Sequence, residues 1–324
     1  MSHSIRIHQT GGADALKWEK VDPGKPAKGQ VLLKQTAVGL NFIDVYQRTG
    51  LYPVGELPQT LGVEAAGIVA AVGPEVTSVS EGDRVAYAMA LGAYSEFRII
   101  DAERLIQLPE QIDDQTAAAM MLRGMTARYL LKSSYPVRPG DTILVMAAAG
   151  GVGSILCQWA KLLGAEVIGC VGSSDKAIIA KANGCDHVID YRNEDIAKRV
   201  REITYGEGVA VSYDSVGQAT LEASLDSLRA TGSLISYGSA SGAITNLNIG
   251  VLAQKGSLYV QRPTLATYTR NRLLLETCAG DLIDMVKSGQ VRIHIGQHYA
   301  LKDTAQAHRD LEARKTVGST VLIP

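Results

Sequence analysis

A chain of 324 residues has room for two domains, and with 32 Lys and Arg against 33 Asp and Glu it carries a net charge of -1. No basic or acidic block stands out, so nothing in the composition calls for nucleic acid or a membrane surface as an obligatory partner. The apolar runs fall well short of a membrane span, and the opening MSHSIRIHQTGG holds no apolar signal core, which points to a cytoplasmic protein.

Residues 1 to about 110 read as strands and turns. β-like runs fall at Ile5–His8, Val31–Val38, Ala66–Val72, Arg84–Tyr87 and Ala93–Ile99, punctuated by Gly11-Gly12, Pro23-Gly24, Gly73-Pro74 and Gly82-Asp83. One helix is expected over Asn41–Thr49, and two more over Ala117–Leu122 and Thr126–Lys132. From Thr142 onward strands and helices alternate. Strands are expected at Thr142–Met146, Glu166–Val171, His187–Asp190, Val209–Tyr213, Ser233–Tyr237 and Ser257–Val260. The helices between them cover the stretch up to Leu163, then Lys176–Asn183 behind an Asp175 cap, Glu194–Thr204 and Leu221–Leu228. Such alternation implies a parallel sheet covered on both faces, that is, an α/β fold. The tail reads as a long helix over Tyr268–Ser288, a strand at Val291–Ile295, a helix at Thr304–Ala313 and a strand at Ser319–Ile323. It is too short for a core of its own and is expected to complete the N-terminal domain.

The stretch Thr142–Gly164 organises the chain. A short apolar strand runs into Ala147-Ala148-Ala149-Gly150-Gly151-Val152-Gly153 and then an amphipathic helix closed by Gly164. This is A-x-x-G-x-x-G, with Ala147 where the dinucleotide fingerprint has its first Gly. Small residues let the backbone approach a pyrophosphate, and the free N–H groups of a helix start favour its charge. Gly150, Gly151, Val152 and Gly153 are therefore candidate phosphate contacts.

The next strand ends in Val171-Gly172-Ser173-Ser174-Asp175-Lys176, with no carboxylate at its tip. Hydroxyls followed by a lysine suit a 2′-phosphate, so NADPH is favoured over NADH. The competing reading makes Asp175 the ribose acceptor and Lys176 a solvated cation. Tyr191 and Arg192 follow the next strand, where they would border the same adenosine. Asp214-Ser215-Val216-Gly217 and Ser236-Tyr237-Gly238-Ser239-Ala240 end two further strands and should flank the cofactor.

No zinc site is legible, because none of the six histidines stands near a cysteine at ligand spacing. His294 and His298 lie in a strand-like segment and read as surface residues. The four cysteines, Cys157, Cys170, Cys185 and Cys278, never form C-x-x-C and read as buried free thiols.

Along its whole length the chain resembles the medium-chain dehydrogenase/reductase superfamily, and within it the zinc-independent NADPH:quinone oxidoreductases, the zeta-crystallin-like branch. The residues that carry the resemblance are Asn41-Phe42-Ile43-Asp44 with Arg48, Gly50, Tyr52 and Pro53; Leu61-Gly62-Val63-Glu64-Ala65-Ala66-Gly67 with Gly73; Gly82-Asp83-Arg84-Val85; Ala147 to Gly153; and Tyr213-Asp214-Ser215-Val216-Gly217. Where the superfamily's zinc enzymes have a Cys and a Gly-His-Glu, this chain has Asn41 and Gly62-Val63-Glu64, and it lacks the Cys-rich lobe.

The resemblance implies a GroES-like, mainly-β catalytic domain over 1–123 and a Rossmann-type doubly wound domain binding NADPH over 124–262. It implies that 263–324 returns to the catalytic domain, that the cofactor lies in the cleft between domains, and that the protein is a homodimer. Carried over by position, Asn41, Phe42, Ile43, Asp44, Val45, Tyr46 and Tyr129 line the nicotinamide end. Gly151 and Val152 hold the phosphates, and Gly172, Ser173, Ser174, Asp175, Lys176 and Tyr191 the adenosine end. Val216, Tyr237, Gly238, Ser239, Ala240, Pro263, Thr264, Leu265 and Arg314 complete the cofactor set. Asn41, Tyr46, Tyr52 and Arg262 are the positions beside the substrate.

The implied activity is hydride transfer to a quinone without metal, with water, Tyr46, Tyr52 or Asn41 as proton donor. A 2-alkenal or enone reductase is the alternative enzyme. A binding role, to AU-rich RNA or as a lens-type structural protein, is the alternative class, and the near-neutral charge weighs against RNA. An edge strand at Ser257–Val260, with Leu258 and Val260, is the sequence hint for pairing of two copies.

Overall fold

The computed structural model describes residues 2–324, which divide into two units. The first runs to Arg123 and includes Thr269–Lys287 and Ile293–Pro324; the second is Gly124–Tyr268 with Ser288–Arg292.

The first unit begins with β1 (Ser2–Ile7), β2 (Lys17–Val21), β3 (Gln30–Leu40), α1 (Phe42–Thr49), β4 (Gln59–Thr60), β5 (Glu64–Val72), β6 (Arg84–Ala88), β7 (Phe97–Asp101), β8 (Ile106–Gln107) and the part of α2 (Asp114–Tyr129) up to Arg123, the rest of that helix belonging to the second unit. β3 is the spine: Val31 and Leu33 point into the core on alternate positions, as a half-buried strand requires, and its last four residues are buried on both faces. It pairs antiparallel with β5 and β7, and β5 with β6. The strand expected over Ala93–Ile99 lies later, as β7, because Ala93 and Tyr94 turn inward to the core instead. α1 starts where the Asn41 N–H meets Asp44 Oδ2 at 2.8 Å and stops at Gly50, whose φ of 84° a side chain would disfavour.

The two helices expected over 117–132 are one. α2 runs through Gly124 to Tyr129 and continues as a π-turn over Leu130–Ser134. A single interior glycine costs about 1 kcal/mol, which the burial of Ala117–Met121, Met125 and Ala127 offsets.

The second unit carries β9 (Thr142–Val145), α3 (Gly151–Leu162), β10 (Glu166–Val171), α4 (Ser174–Ala182), β11 (His187–Asp190), α5 (Ile196–Ile203), β12 (Val209–Asp214), α6 (Leu221–Asp226), β13 (Leu228–Ser236), α7 (Ile249–Gln254), β14 (Tyr259–Gln261) and α8 (Leu265–Tyr268). The six strands are parallel in the order β11-β10-β9-β12-β13-β14, a doubly wound Rossmann sheet whose order reverses between β9 and β12. Ile143, Leu144 and Val145 on the central strand are fully buried. The cap of α4 is Ser173, whose Oγ accepts the Lys176 N–H, and not Asp175. The cap of α5 is Asp195, so this helix begins two residues later than expected.

The chain then gives α9 (Arg272–Lys287), β15 (Ile295–Ala300), α10 (Thr304–Glu312) and β16 (Ser319–Ile323). β16 pairs antiparallel with the end of β3, Thr320 opposite Leu40, and β15 pairs parallel with β16. The expected strand at Val291–Ile295 is displaced to β15, where Ile295, Gln297 and Tyr299 alternate inward; Gly296, Gln297 and His298 mask that pattern. The expected helix over Tyr268–Ser288 is split into α8 and α9. The four cysteines are free and buried, and His294 and His298 are exposed.

Candidate active site

In the second unit the Gly-rich turn leaves β9 at the point where the strand order reverses. It is tied to both neighbouring strands: Met146 N–H donates to Tyr213 O at 2.9 Å and Ala148 N–H to Cys170 O at 3.0 Å. Ala147 takes φ 54°, so the first fingerprint position keeps the left-handed backbone that usually selects glycine there. A Cβ on Gly153 would lie 2.3 Å from Ala147 O, so only glycine lets α3 start this close to the strand. Ser154 is the first residue of α3 whose N–H meets a carbonyl of the turn, Gly150 O at 2.8 Å. The N–H groups of Gly151, Val152 and Gly153 precede it in the open first turn, a ready seat for a phosphate.

At the tip of β10, Gly172 packs under Tyr191: a Cβ there would stand 2.3 Å from the Tyr191 hydroxyl. Ser173, Ser174, Asp175 and Lys176 follow in the cap and first turn of α4, so the structure brings the expected adenosine residues to one strand end.

The loops after β12 and β13 close on each other through their backbones. Tyr237 N–H donates to Asp214 O at 2.8 Å and Ser241 N–H to Val216 O at 2.8 Å, and a Cβ on Gly238 would meet Ser215 O at 2.3 Å. Buried Asp214 holds this arrangement. Its carboxylate accepts from Val216 N, Gly217 N, Thr220 Oγ1 and Ser224 Oγ at 2.7–3.0 Å. Arg262 braces the second loop by donating to Ser236 O and Gly238 O at 2.8 and 2.9 Å and to Ser239 Oγ at 3.2 Å. Pro263, Thr264 and buried Leu265 follow it at the start of α8, and Tyr129 stacks flat on Tyr268 at 4.4 Å.

In the first unit, Asn41, Phe42, Ile43, Asp44, Val45 and Tyr46 form the start of α1. Tyr46 sits between two rings, Phe42 at 6.2 Å and Tyr52 at 5.2 Å. Asp44 is fully buried, and burial pushes its carboxyl up to about 7. Asn41 Nδ2 donates to Glu64 Oε2 at 2.7 Å. Arg314 is exposed, just past α10. Four residues of this region escaped the sequence reading as site residues: Glu64, Tyr94, Arg123 and His308. Only Glu64 carried a signal, a lone carboxylate inside the apolar run Val63–Ala66.

Residues 27–110 match the alcohol dehydrogenase GroES-like domain, and 151–277 match the zinc-binding dehydrogenase family. Over all of both chains this sequence is 49% identical to a quinone oxidoreductase of Pseudomonas aeruginosa. The chain belongs to the quinone oxidoreductase family. A crystal structure of Escherichia coli quinone oxidoreductase complexed with NADPH is similar at 47% identity and a TM-score of 0.97, covering 99% of this chain and 100% of that one. A 2-haloacrylate reductase of Burkholderia is 45% identical over 98% of each chain. Membership in the quinone oxidoreductases places this chain in the medium-chain dehydrogenase/reductase superfamily, with a GroES-like domain and a Rossmann-type parallel sheet.

Proposed function

We propose that this chain reduces quinones by hydride transfer with NADPH as reductant, without a metal, as a cytoplasmic homodimer. The observation that carries the reading is the full-length likeness to quinone oxidoreductases, one of them solved with NADPH. NADPH, when bound, supplies the hydride. The residues present fit it: a turn too tight for a Cβ at Gly153, an open helix start at Gly151–Gly153, and hydroxyls with a lysine at Ser173–Lys176. The helix start would take the pyrophosphate and Lys176, Ser173, Ser174 and Tyr191 the 2′-phosphate end. Asn41, Tyr46 and Tyr52 are the groups assigned to the reacting end. The product oxygen is phenolate-like, so a tyrosine hydroxyl or water suffices to deliver its proton.

The donor set supports a metal-free reaction. Val63 offers no ligand atom, the Asn41 amide nitrogen is engaged by Glu64, and among the described residues no three His, Cys, Asp or Glu side chains gather to hold an ion. β14 ends the parallel sheet with Tyr259 65% exposed, and this edge is where two copies would pair. Leu258, expected on that edge, is instead buried in the core.

The likeness to a 2-haloacrylate reductase supports a second reading, hydride delivery to an activated C=C bond. NADPH oxidation by the metal-free protein, with quinones and 2-alkenals in parallel and NADH as control, separates the two. Turnover with quinones and NADPH supports the main reading. Turnover confined to alkenals moves the substrate class, and no turnover with either sinks both.

A further inference from the structure

The second unit holds a pair of thiols that no step of the proposed reaction uses. Cys157 lies midway along α3, and Cys185 in the turn that joins α4 to β11. Both are buried and free, and they are 28 residues apart in the chain, yet their sulfurs stand 3.5 Å from each other.

The surrounding residues hold them there. β10 makes room for one sulfur: a Cβ on Gly169 would lie 2.6 Å from Cys185 Sγ. Gly184, at φ 93°, lets the turn lie against α3, where a Cβ would meet the Lys161 Cβ at 3.2 Å. Lys161 Nζ pairs with Asp186 Oδ1, and Asp186 Oδ2 accepts the Val167 N–H at 2.9 Å. The turn carrying Cys185 is therefore tied to α3 on one side and to β10 on the other.

We propose that Cys157 and Cys185 are a modification site, and form a reversible disulfide when the folded protein meets a peroxide. This goes beyond the NADPH and quinone reading and does not depend on it. A disulfide needs sulfurs about 2.0 Å apart, so the pair has about 1.5 Å left to close.

Chemistry sets the order of events. The hydrogen bond from Cys185, then burial, push the Cys157 thiol well above its ordinary value, so Cys157 stays protonated. Cys185 lies just beneath the surface: Lys181 and Ala182 are exposed, and Asn183 and Gly184 half-buried. Opening of this short turn brings its sulfur to the oxidant. The Cys185 thiolate attacks one oxygen of hydrogen peroxide. An S–O bond forms, the O–O bond breaks, and hydroxide leaves and takes up the proton that the thiol released. The Cys157 sulfur then attacks the Cys185 sulfur. The S–S bond forms, the S–O bond breaks, and the departing hydroxide leaves as water with the Cys157 proton. Two thiols lose two electrons, and one peroxide becomes two waters. The loop closed in this way, 157–185, holds β10 and α4, and with them the strand end at Gly172–Lys176.

The test exposes the folded full-length protein to hydrogen peroxide and removes the oxidant with catalase. Remaining thiols are blocked with N-ethylmaleimide in urea, and the peptides are mapped by mass spectrometry. Two of the four cysteines should escape blocking, joined as one peptide pair through 157 and 185, and dithiothreitol should restore all four. Four blocked thiols, a bridge to Cys170 or Cys278, or a sulfinic acid that dithiothreitol leaves in place overturns the proposal. The oxidised protein should melt about 5 °C higher, because a bridge made within the native fold restrains the unfolded chain. A lower Tm overturns it, since the bond would then form at the expense of the fold. Dimedone, which captures sulfenic acid, tests the order of events. Cys157→Ser should carry the adduct on Cys185, and Cys185→Ser should carry none on Cys157; the reverse pattern overturns the order. The wild-type peptide map decides the pairing even where a variant fails to fold.

Discussion

Tyr94 donates its hydroxyl to Asp44 Oδ2 across 2.8 Å, while His308 Nε2 stands 3.0 Å from the same hydroxyl. The direction of this chain of bonds is set from its far end. Arg48 can only donate, so His308 Nδ1, 3.2 Å from Arg48 Nη1, is an acceptor and the histidine carries its proton on Nε2. Nε2–H then donates to Tyr94, and Tyr94 to Asp44. The chain ties the first turn of α1, where the candidate reacting-end residues begin, to α10 near the C-terminus.

That chain contains two groups with opposed pH dependence. Burial, then Arg48, push His308 down to about 3, so its stabilising contribution is complete above the unfolded value near 6.5 and is lost as pH falls from there towards 3. Asp44 is pushed up to about 7, so its contribution is complete below the unfolded value near 4 and is lost as pH rises to 7. Between about 4 and 6.5 the two oppose each other. On acidification from about pH 7 to 5, urea denaturation should show His308→Gln gaining stability relative to wild type and Asp44→Asn losing it. Parallel pH profiles for all three proteins would refute this assignment.

Removing the outer anchor should be felt at the inner end. Arg48 has a side chain only 2% exposed, and Glu312, 38% exposed, takes both of its terminal nitrogens at 2.9 and 2.8 Å. Glu312→Ala leaves a buried guanidinium with Gly11 O and His308 alone. Because Glu312 is more than a third exposed, the loss should lie at the low end of charged hydrogen bonds, about 1.5 kcal/mol. Thermal unfolding checks it, and an unchanged Tm means that water replaces the carboxylate.

Much of this architecture was legible because it is local. The Gly-rich turn, β10, β11 and β16 are continuous runs whose residue types suit one conformation, so reading and structure coincide there. The misreadings occurred where long-range packing overrode local preference. Gly124 looks like a break until the alanines flanking it are seen buried, and the polar Gly296-Gln297-His298 hides a strand that exists because β16 lies beside it. The Asp44–Tyr94–His308–Arg48 chain was invisible for the same reason. Its bonded partners are separated by up to 260 residues, and no spacing rule joins them.

Ala147 carries a strain that glycine would relieve. Its φ of 54° is left-handed backbone, which costs an L-residue about 1 kcal/mol, partly offset by the greater chain entropy of an unfolded glycine. Ala147→Gly should therefore raise stability by roughly 0.5 kcal/mol and leave the turn intact. A lower Tm would show that the Ala147 methyl contributes packing that outweighs the strain.

Asp214 offers the opposite case, a side chain whose loss strands its neighbours. Asp214→Ala leaves two N–H groups and two hydroxyls without their acceptor in a loop flanking the proposed cofactor site. The expected cost is about 2 kcal/mol or more, with Asp214→Asn milder because its remaining oxygen still accepts. NADPH binding should weaken together with stability, measured by titration and by denaturation on the same preparations. Loss of stability with cofactor affinity intact would show that the 214–217 loop is structural only.

Lys176 is the residue proposed above to set the cofactor preference, and this assignment is open to a direct test. The Ser173 cap fixes the backbone of the first turn of α4 and so fixes where the lysine starts, beside Tyr191 and Gly172 at the tip of β10. No carboxylate stands at the tip of the strand itself, ahead of Ser173, to accept from a ribose hydroxyl. A partly exposed ammonium facing a phosphate contributes about 1 kcal/mol, so Lys176→Ala should weaken NADPH roughly fivefold and leave NADH nearly unchanged. The difference should shrink as salt rises, because the contact is screened. If both cofactors lose equally, Lys176 acts through the fold of α4. If neither changes and Asp175→Ala weakens NADH, the competing assignment holds, and Asp175 is the ribose acceptor.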